Sequence, residues 1–238
     1  MSDSTAGSPA TGYLVPTRQV RIADLRRKKA EGKKWAMLTA YDYSTARALT
    51  QGGVECLLVG DSAANVVFGY PQTQQISLEE MVMLTAAVVR GSGNALVIAD
   101  LPFGTYEASD EQAVLSASEM LRRSGAAMVK IEGGVRIAPR IRALVNAGIP
   151  VCAHVGFTPQ SVNALSGFKV QGRGGDASRL VADVHAVEDA GADMVVLEMV
   201  PADLAAQITA DSTVPTVGIG AGPVSYTHLR AHETRRHL

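Results

Sequence analysis

The sequence has few cysteines, few aromatic residues and almost no net charge, and these shortages limit the kinds of protein it can encode. Two of its 238 residues are cysteines, and aromatic residues make up 5%. Cys56 and Cys152 both lie in apolar runs, where a free cysteine usually behaves as a small buried hydrophobic residue. This usage argues against an oxidising compartment and predicts a cytoplasmic protein.

Charge and hydropathy exclude two further classes of partner. The formal net charge is −1 and the isoelectric point is about 6.5, so no strong field attracts nucleic acid or an anionic membrane surface. No apolar segment approaches the roughly 20 residues that span a bilayer. Residues 1–16 are rich in Ser, Thr, Gly, Ala and Pro but lack the basic and apolar regions of a signal peptide. We therefore expect a disordered leader and neither a nucleic-acid nor a membrane partner.

What the sequence does contain is an alternation of apolar runs and amphipathic segments. Runs of strand length that are apolar throughout are typical of parallel strands covered by helices on both faces. The first helix would take Thr17 or Asp24 as its N-cap. The predicted strands cover residues 35–40, 56–60, 96–100, 128–132, 150–154, 194–198 and 215–219, and the predicted helices cover 17–32, 44–51, 110–124, 135–146, 177–190 and 202–210.

This pattern predicts an α/β protein, a (β/α)8 TIM barrel truncated after strand 7, with the barrel domain over residues 17–223. A doubly wound sheet is the alternative, but it would more often use fewer strands and place its ligand at a single switch point. Here ionisable residues follow the carboxyl ends of many predicted strands, as a barrel active site requires.

The ionisable residues at the strand ends are Asp61, Asp100, Glu132, His154 and Glu198. One such carboxylate alone would more often cap a helix or join a salt bridge. Because the ends of parallel strands meet at one rim, several together predict a functional site.

Three of these residues supply oxygen atoms that could bind a metal ion. Asp61, Asp100 and Glu132 form the kind of carboxylate set that Mg²⁺ prefers, with neither a cysteine nor a histidine pair to suggest zinc. A magnesium ion could chelate an α-keto acid and stabilise the enolate that forms when the adjacent carbon loses a proton.

The remaining candidates each have two interpretations. Lys130 points the same way as Glu132 because side chains alternate along a strand, and it forms either a structural ion pair or a clamp for a substrate carboxylate. His154 is either a satisfied core histidine or a site residue. Glu198 has apolar neighbours that suit a carboxyl group to proton transfer, and it is the candidate base.

The C-terminal segment, residues 224–238, differs from the rest of the chain. It holds three of the five histidines and three arginines, without a helical or strand period. It is either a His-rich metal site or an unrelated tail, and we expect an unrelated, disordered tail. The glycine-rich residues 218–222 just before it are either a phosphate-binding turn or a place of tight backbone packing.

Several motifs together resemble one known family, the ketopantoate hydroxymethyltransferases. The resemblance covers roughly residues 20–223, in order and without large gaps. Its motifs are WAMLTAYD at 35–42, LLVGDS at 57–62, ADLPFG at 99–104, VKIEGG at 129–134, HVGFTPQ at 154–160, QGR at 171–173 and GIGAG at 218–222.

The resemblance implies a cytoplasmic barrel enzyme of the phosphoenolpyruvate/pyruvate type. Such an enzyme transfers a hydroxymethyl group from 5,10-methylenetetrahydrofolate to 3-methyl-2-oxobutanoate and gives 2-dehydropantoate, in pantothenate biosynthesis. Its partners would be the keto acid, the folate and further copies of the same chain, since members of the family assemble as homo-oligomers, typically decamers.

The resemblance also implies roles for individual residues. The matched magnesium ligands are Asp61, Asp100 and Glu132, the last through water. The base is Glu198, and the long segment 158–173 lies beside the site. The substrate-binding residues are Asp61, Ser62, Asp100, Lys130 and His154.

The end of the chain departs from the family pattern, because family members continue past the glycine-rich turn with an eighth strand and further helices. Two alternatives therefore stand beside the family activity. One is another magnesium-dependent lyase of the same barrel type, which would commonly use a reactive cysteine in a loop over the site. Neither Cys56 nor Cys152 is placed for that role. The other is an inactive truncated fragment.

Overall fold

The computed structural model describes residues 16–165, 167, 169–222 and 227–230. The predicted disorder of the leader falls outside these residues except at Pro16. The tail has two interpretations, disorder and a His-rich metal site. Both concern residues that the structure does not describe, except for the backbone of residues 227–230.

The described residues form one closed barrel of eight parallel strands, in which each strand pairs with the next along the chain and the last pairs with the first. The predicted (β/α) barrel is confirmed. The strands are β1 Trp35–Thr39, β2 Cys56–Val59, β3 Leu96–Asp100, β4 Met128–Glu132, β5 Val151–Gly156, β6 Met194–Glu198, β7 Thr216–Ile219 and β8 Thr227–Arg230.

The eighth strand differs from the sequence-based expectation of an open sheet after strand 7. Strand β8 pairs over four residues with β1, from Trp35↔Thr227 to Leu38↔Arg230, and through Gly218↔His228 with β7. The physical reason is that β1 and β7 each present a row of unpaired backbone groups, and an extended segment can satisfy them through its own backbone.

Helices cover the outside of the barrel, and their apolar faces pack against the strands in one large hydrophobic cluster. No helix in the described part of the chain is long and apolar enough to cross a membrane. The helices are α1 Ile22–Ala30, α2 Tyr43–Gln51, α3 Ala63–Val66, α4 Leu78–Gly91, α5 Asp110–Ser124, α6 Ala138–Asn146, α7 Ala177–Asp189 and α8 Ala202–Asp211.

Helix α1 lies across the amino-terminal end of the barrel. Its Leu25 is fully buried in the second hydrophobic cluster, with inward-facing strand residues such as Met37 and Met128. Lys28 pairs with Glu55, the residue before β2. Arg26 Nη2 lies 2.6 Å from Asp193 Oδ1, just before β6. Because α1 closes this end, the opposite, carboxyl-terminal rim is the open one.

Two helices, α1 and α4, differ from the sequence-based prediction. The N-cap of α1 is Arg21, and neither Thr17 nor Asp24 has that place. Asp24 is the third helical residue, and its carboxylate accepts a hydrogen bond from the Arg21 backbone N–H at 3.0 Å, so it caps the helix from inside. Helix α4 is absent from the prediction, although Ser77 and Glu80 have the spacing of a capping box and form one.

Candidate active site

The open rim brings together the five ionisable residues that the sequence places at strand ends. Asp61, Asp100, Glu132 and His154 are all buried. Glu198 retains partial exposure, 16% of its side chain, and so is the member of the group that a small molecule can reach most directly. The predicted convergence of these residues at one rim is therefore found in the fold.

Lys130 supplies the positive charge at the centre of this group. Its Nζ atom lies 2.8 Å from Asp100 Oδ1 and 3.8 Å from Glu132 Oε1, so the predicted common face of Lys130 and Glu132 is correct. Burial alone would lower the pKa of Lys130, but the charges of Asp100 and Glu132 raise it above its ordinary value. The ammonium is therefore charged at neutral pH.

His154 bridges two carboxylates. Its Nδ1 atom lies 3.3 Å from Glu132 Oε1, and its Nε2 atom lies 3.1 Å from Glu198 Oε2. Burial and the charge of Lys130 lower the pKa of His154, but Glu132 and then Glu198 outweigh them and raise it to about 9. The imidazole lies between the two carboxylates, and in its protonated form it is an ion-pair partner of both. This position makes His154 part of the polar site instead of an isolated core histidine.

Asp61 is held at the end of β2 by its neighbours. Its backbone N–H donates to Asp100 Oδ2 at 3.0 Å, and burial together with the charges of Asp100 and Glu132 raises its pKa to about 8. The next residue, Ser62, has its hydroxyl 2.8 Å from the hydroxyl of Tyr41. Asp61 and Ser62 are therefore adjacent polar groups at the rim, as the sequence predicts.

Two buried polar residues of the site are missing from the sequence-based prediction, Gln160 and Tyr106. Gln160 follows β5, and its side-chain Nε2 donates to Asp61 Oδ2 at 2.9 Å. The Tyr106 hydroxyl donates to Gln160 Oε1 and accepts from the Glu132 backbone N–H at 3.1 Å. Neither residue carries a charge, so a search for ionisable strand-end residues passes over them. The signal that could have found Gln160 is its place at the end of the HVGFTPQ motif.

The long connection between β5 and α7 lies beside the site, as predicted for residues 158–173. It begins with a 3-10 turn, Pro159–Ser161, whose Gln160 backbone N–H donates to Glu132 Oε2 at 3.0 Å. Farther along, Gly172 packs against Leu180 and Leu204, where a Cβ atom would lie 2.7 Å from Leu204 Cδ2. The connection is therefore anchored both at the rim and on the outer helices.

The predicted metal ligands are three carboxylates, those of Asp61, Asp100 and Glu132. In the part of the chain that the structure describes, no group of three or more His, Cys, Asp or Glu side chains is arranged to hold a metal ion. Nitrogen atoms of Lys130 and Gln160 lie against Asp100 and Asp61. The chemistry of the donors nevertheless fits Mg²⁺. Three buried carboxylates around one ammonium concentrate negative charge, as the raised pKa of Asp61 indicates, and a cation would compensate it.

Comparison with known proteins identifies close relatives. A family model described as ketopantoate hydroxymethyltransferase matches residues 19–229, which includes part of β8. The 3-methyl-2-oxobutanoate hydroxymethyltransferase of Corynebacterium jeikeium (strain K411) is 71% identical over 222 residues, 93% of this chain and 78% of the relative. The protein of the same name from Corynebacterium diphtheriae is 68% identical over 206 residues, 87% of this chain and 77% of the relative.

The barrel itself is similar to a solved structure of 2,3-dimethylmalate lyase, described as a member of the PEP mutase/isocitrate lyase superfamily. The two share 22% sequence identity at a TM-score of 0.66, over 87% of this chain and 77% of that chain. At this identity the similarity shows the fold alone, and it confirms the predicted type of barrel.

Proposed function

This chain belongs to the ketopantoate hydroxymethyltransferase family, and we propose that it transfers a hydroxymethyl group from 5,10-methylenetetrahydrofolate to 3-methyl-2-oxobutanoate. The observation that carries the proposal is the His154 bridge between the buried Glu132 and the partly exposed Glu198. The bridge keeps the Glu198 carboxylate in place at the part of the site that a small molecule can reach. Relatives of 71% and 68% identity are named 3-methyl-2-oxobutanoate hydroxymethyltransferase, which supports the acceptor and the transferred group.

The reaction begins with loss of the proton on carbon 3 of the keto acid. A Glu198 oxygen accepts that proton, and the electron pair of the C–H bond moves into the enolate. Water adds to the one-carbon unit of the folate, and both C–N bonds that hold this unit break, which gives tetrahydrofolate and formaldehyde. The enolate carbon then forms a C–C bond with the formaldehyde carbon. The former carbonyl oxygen takes the proton back from Glu198 and becomes the hydroxyl group of 2-dehydropantoate.

Residues of the chain orient the keto acid and position the base that accepts its proton. Lys130 and Ser62 would bind the carboxylate of the keto acid, because an ammonium and a hydroxyl both donate to carboxylate oxygens. His154 fixes the Glu198 carboxylate through the 3.1 Å contact between Nε2 and Oε2. A positioned general base contributes about 10²–10⁴-fold to the rate.

Asp61 and Asp100 would hold Mg²⁺ directly, and Glu132 would hold it through water. When bound, the ion supplies electrophilic stabilisation of the enolate oxygen. The three carboxylates come from the ends of β2, β3 and β4, so the barrel itself sets their spacing.

Assembly and location belong to the same proposal. We place the protein in the cytoplasm as a homo-oligomer, a decamer by family resemblance. Its barrel domain begins near residue 17 and includes β8, so it extends past the predicted end at residue 223. Val66, Val67 and Phe68 support assembly, because these consecutive apolar side chains are 39–46% exposed beside the rim, and a second copy would bury them.

The test follows hydrogen exchange at carbon 3 of the keto acid. The protein is incubated with Mg²⁺ and 3-methyl-2-oxobutanoate in D₂O, and loss of the carbon-3 proton signal is measured by NMR. We expect exchange with the unaltered chain, and a rate about 10²–10⁴-fold lower with Glu198→Gln. Glu119→Gln is the matched control, since Glu119 lies on α5 and pairs with Arg123.

Two outcomes contradict the proposal. Equal exchange rates in Glu198→Gln and the unaltered chain would reject Glu198 as the base. Absence of exchange in a folded, magnesium-loaded protein would favour the inactive-fragment alternative. Addition of 5,10-methylenetetrahydrofolate then tests the transfer step, with 2-dehydropantoate as the expected product.

A further inference from the structure

Gln160 links the carboxylate-bearing ends of three strands, although it lies on none of them. It is buried, with 3% of its surface exposed. Its side-chain Nε2 donates to Asp61 Oδ2, after β2, at 2.9 Å, and to the Leu101 carbonyl, after β3, at 3.0 Å. Its backbone N–H donates to Glu132 Oε2 on β4 at 3.0 Å. One residue therefore contacts two of the three predicted metal ligands.

The hydrogen-bond network fixes the orientation of the Gln160 amide. The Leu101 carbonyl can only accept a hydrogen bond, so the NH₂ group must face it and Asp61. The Oε1 atom on the other side accepts from the Tyr106 hydroxyl. That hydroxyl is itself held by the Glu132 backbone N–H. Turning the amide over would break contacts on both sides, which makes the arrangement rigid.

The amide also suits a site that already carries several charges. A lysine or arginine at position 160 would add a second cation beside Asp61 and compete with a metal ion, whereas a glutamate would add a fourth carboxylate. The neutral side-chain amide of Gln160 donates to Asp61, and the backbone N–H of the same residue donates to Glu132. Neither contact alters the net charge of the site. The carboxylates are oriented while their charge stays available to a cation.

We infer that Gln160 is a positioning residue that orients Asp61 and Glu132 for divalent cation binding and ties the connection after β5 to the site. The inference rests on the proposed function, because it takes these carboxylates as ligands. Residues around metal ligands commonly change metal affinity by about 10–100-fold when they are replaced. We expect a loss of that size when the amide is removed.

The experiment compares the unaltered chain with Gln160→Met, which keeps the length of the side chain but has no amide. Mn²⁺ replaces Mg²⁺ as the probe, and the signal of free Mn²⁺ in electron paramagnetic resonance gives its dissociation constant directly. The matched control is Gln171→Met in the same connection, where the side-chain amide donates to the Lys169 carbonyl. Thermal unfolding without metal measures any loss of fold.

The expected result is a Mn²⁺ dissociation constant about 10–100-fold higher in Gln160→Met, with Gln171→Met unchanged and unfolding midpoints of all three chains in metal-free buffer within a few degrees. Equal Mn²⁺ affinity in folded Gln160→Met would overturn the inference. If Gln160→Met does not fold, Tyr106→Phe, which removes the hydroxyl donor to Oε1, must show the same weakened binding for the inference to stand. Absence of Mn²⁺ binding by the unaltered chain would instead count against the proposed function.

Discussion

At the scale of single residues, the site is a group of buried charges, each of which depends on the others. Asp100, Lys130 and Glu132 come from two adjacent strands, and their side chains are at most 4% exposed. An isolated charge in this position would be strongly unfavourable. These ion pairs therefore stabilise the fold as well as form the site. Replacement of one member should lower both stability and activity.

Lys130→Met should destabilise the protein by about 3–5 kcal/mol, because it leaves Asp100 buried without a cation and leaves Glu132 paired with His154 alone. Urea unfolding in metal-free buffer measures the change. Added Mg²⁺ should restore part of the loss if the carboxylates bind it. Lys33→Met is the control, since Lys33 is 68% exposed in its pair with Glu31, and its effect should stay within about 0.5 kcal/mol. A similarly small effect at Lys130 would contradict the argument.

Gly156 tests how closely the backbone near the proposed base is packed. It has φ of +92°, and a Cβ atom there would lie 2.3 Å from the Glu198 carbonyl oxygen. Gly148 has a comparable φ of +80° with no atom within 4 Å of such a Cβ. Gly156→Ala should therefore cost about 1–3 kcal/mol more than Gly148→Ala.

The same pair of variants also shows whether the clash at position 156 affects the reaction. Gly156→Ala should also slow the carbon-3 exchange, because relief of the clash displaces Glu198, whereas Gly148→Ala should leave the exchange rate unchanged. Urea unfolding and NMR exchange measure the two effects. Equal losses of stability in both variants would show that the positive φ angle, and not the contact with the Glu198 carbonyl oxygen, causes the destabilisation.

At the scale of elements, helix α1 is stabilised at its start by one carboxylate. Asp24 accepts from the Arg18 guanidinium at 2.6 and 2.9 Å and from the Arg21 backbone at 3.0 Å. The hydrogen bonds from Arg18, and then from Arg21, hold the pKa of Asp24 well below its usual range. A lowered folded-state pKa stabilises the protein above the unfolded pKa of about 3.9, and that contribution disappears as the pH falls through the folded value.

Asp24→Asn should therefore lower the free energy of unfolding at pH 7 by about 1 kcal/mol. The difference between the two proteins should shrink as the pH falls below about 4, since Asp24 of the unfolded chain then binds a proton while the folded carboxylate stays ionised until the pH reaches its lower pKa. Chemical unfolding followed by circular dichroism across this pH range checks both the size and the sign. A difference that stays constant down to the lowest pH would show that the charge of Asp24 is not responsible.

At the scale of the whole molecule, closure of the barrel depends on the four residues of β8. They pair with the edges of both β1 and β7, which would otherwise expose unpaired backbone groups. A chain ending at Gly222 should therefore unfold at a lower temperature and form aggregates, whereas a chain ending at Arg230 should behave like the full sequence. Light scattering after gel filtration, together with thermal unfolding, makes this comparison. Identical behaviour of the two shortened chains would mean that closure adds no stability.

Much of the fold could be predicted because the local pattern is consistent with the final structure. Strands β3, β4 and β6 and helix α5 have the predicted bounds, since each combines a continuous apolar run or amphipathic period with clear flanking residues. Helix α4 was missed despite its capping box, and the tail was not expected to contribute a strand. In β8 the tertiary context decides, because neighbouring strand edges supply the hydrogen bonds that the local pattern does not indicate.

The amino-acid sequence was enough to predict a (β/α) barrel and the ionisable residues at its open rim. Parallel strands place their carboxyl ends together, so Asp61, Asp100, Glu132, His154 and Glu198 had to converge once the strands were located. Only the tertiary structure decided which atoms meet: the bridge from Glu132 through His154 to Glu198, the insertion of Gln160 beside Asp61, and the closure by β8. These contacts join segments far apart in the chain. They depend on which side chains and unpaired backbone groups the fold brings next to each other, and no local pattern contains that proximity.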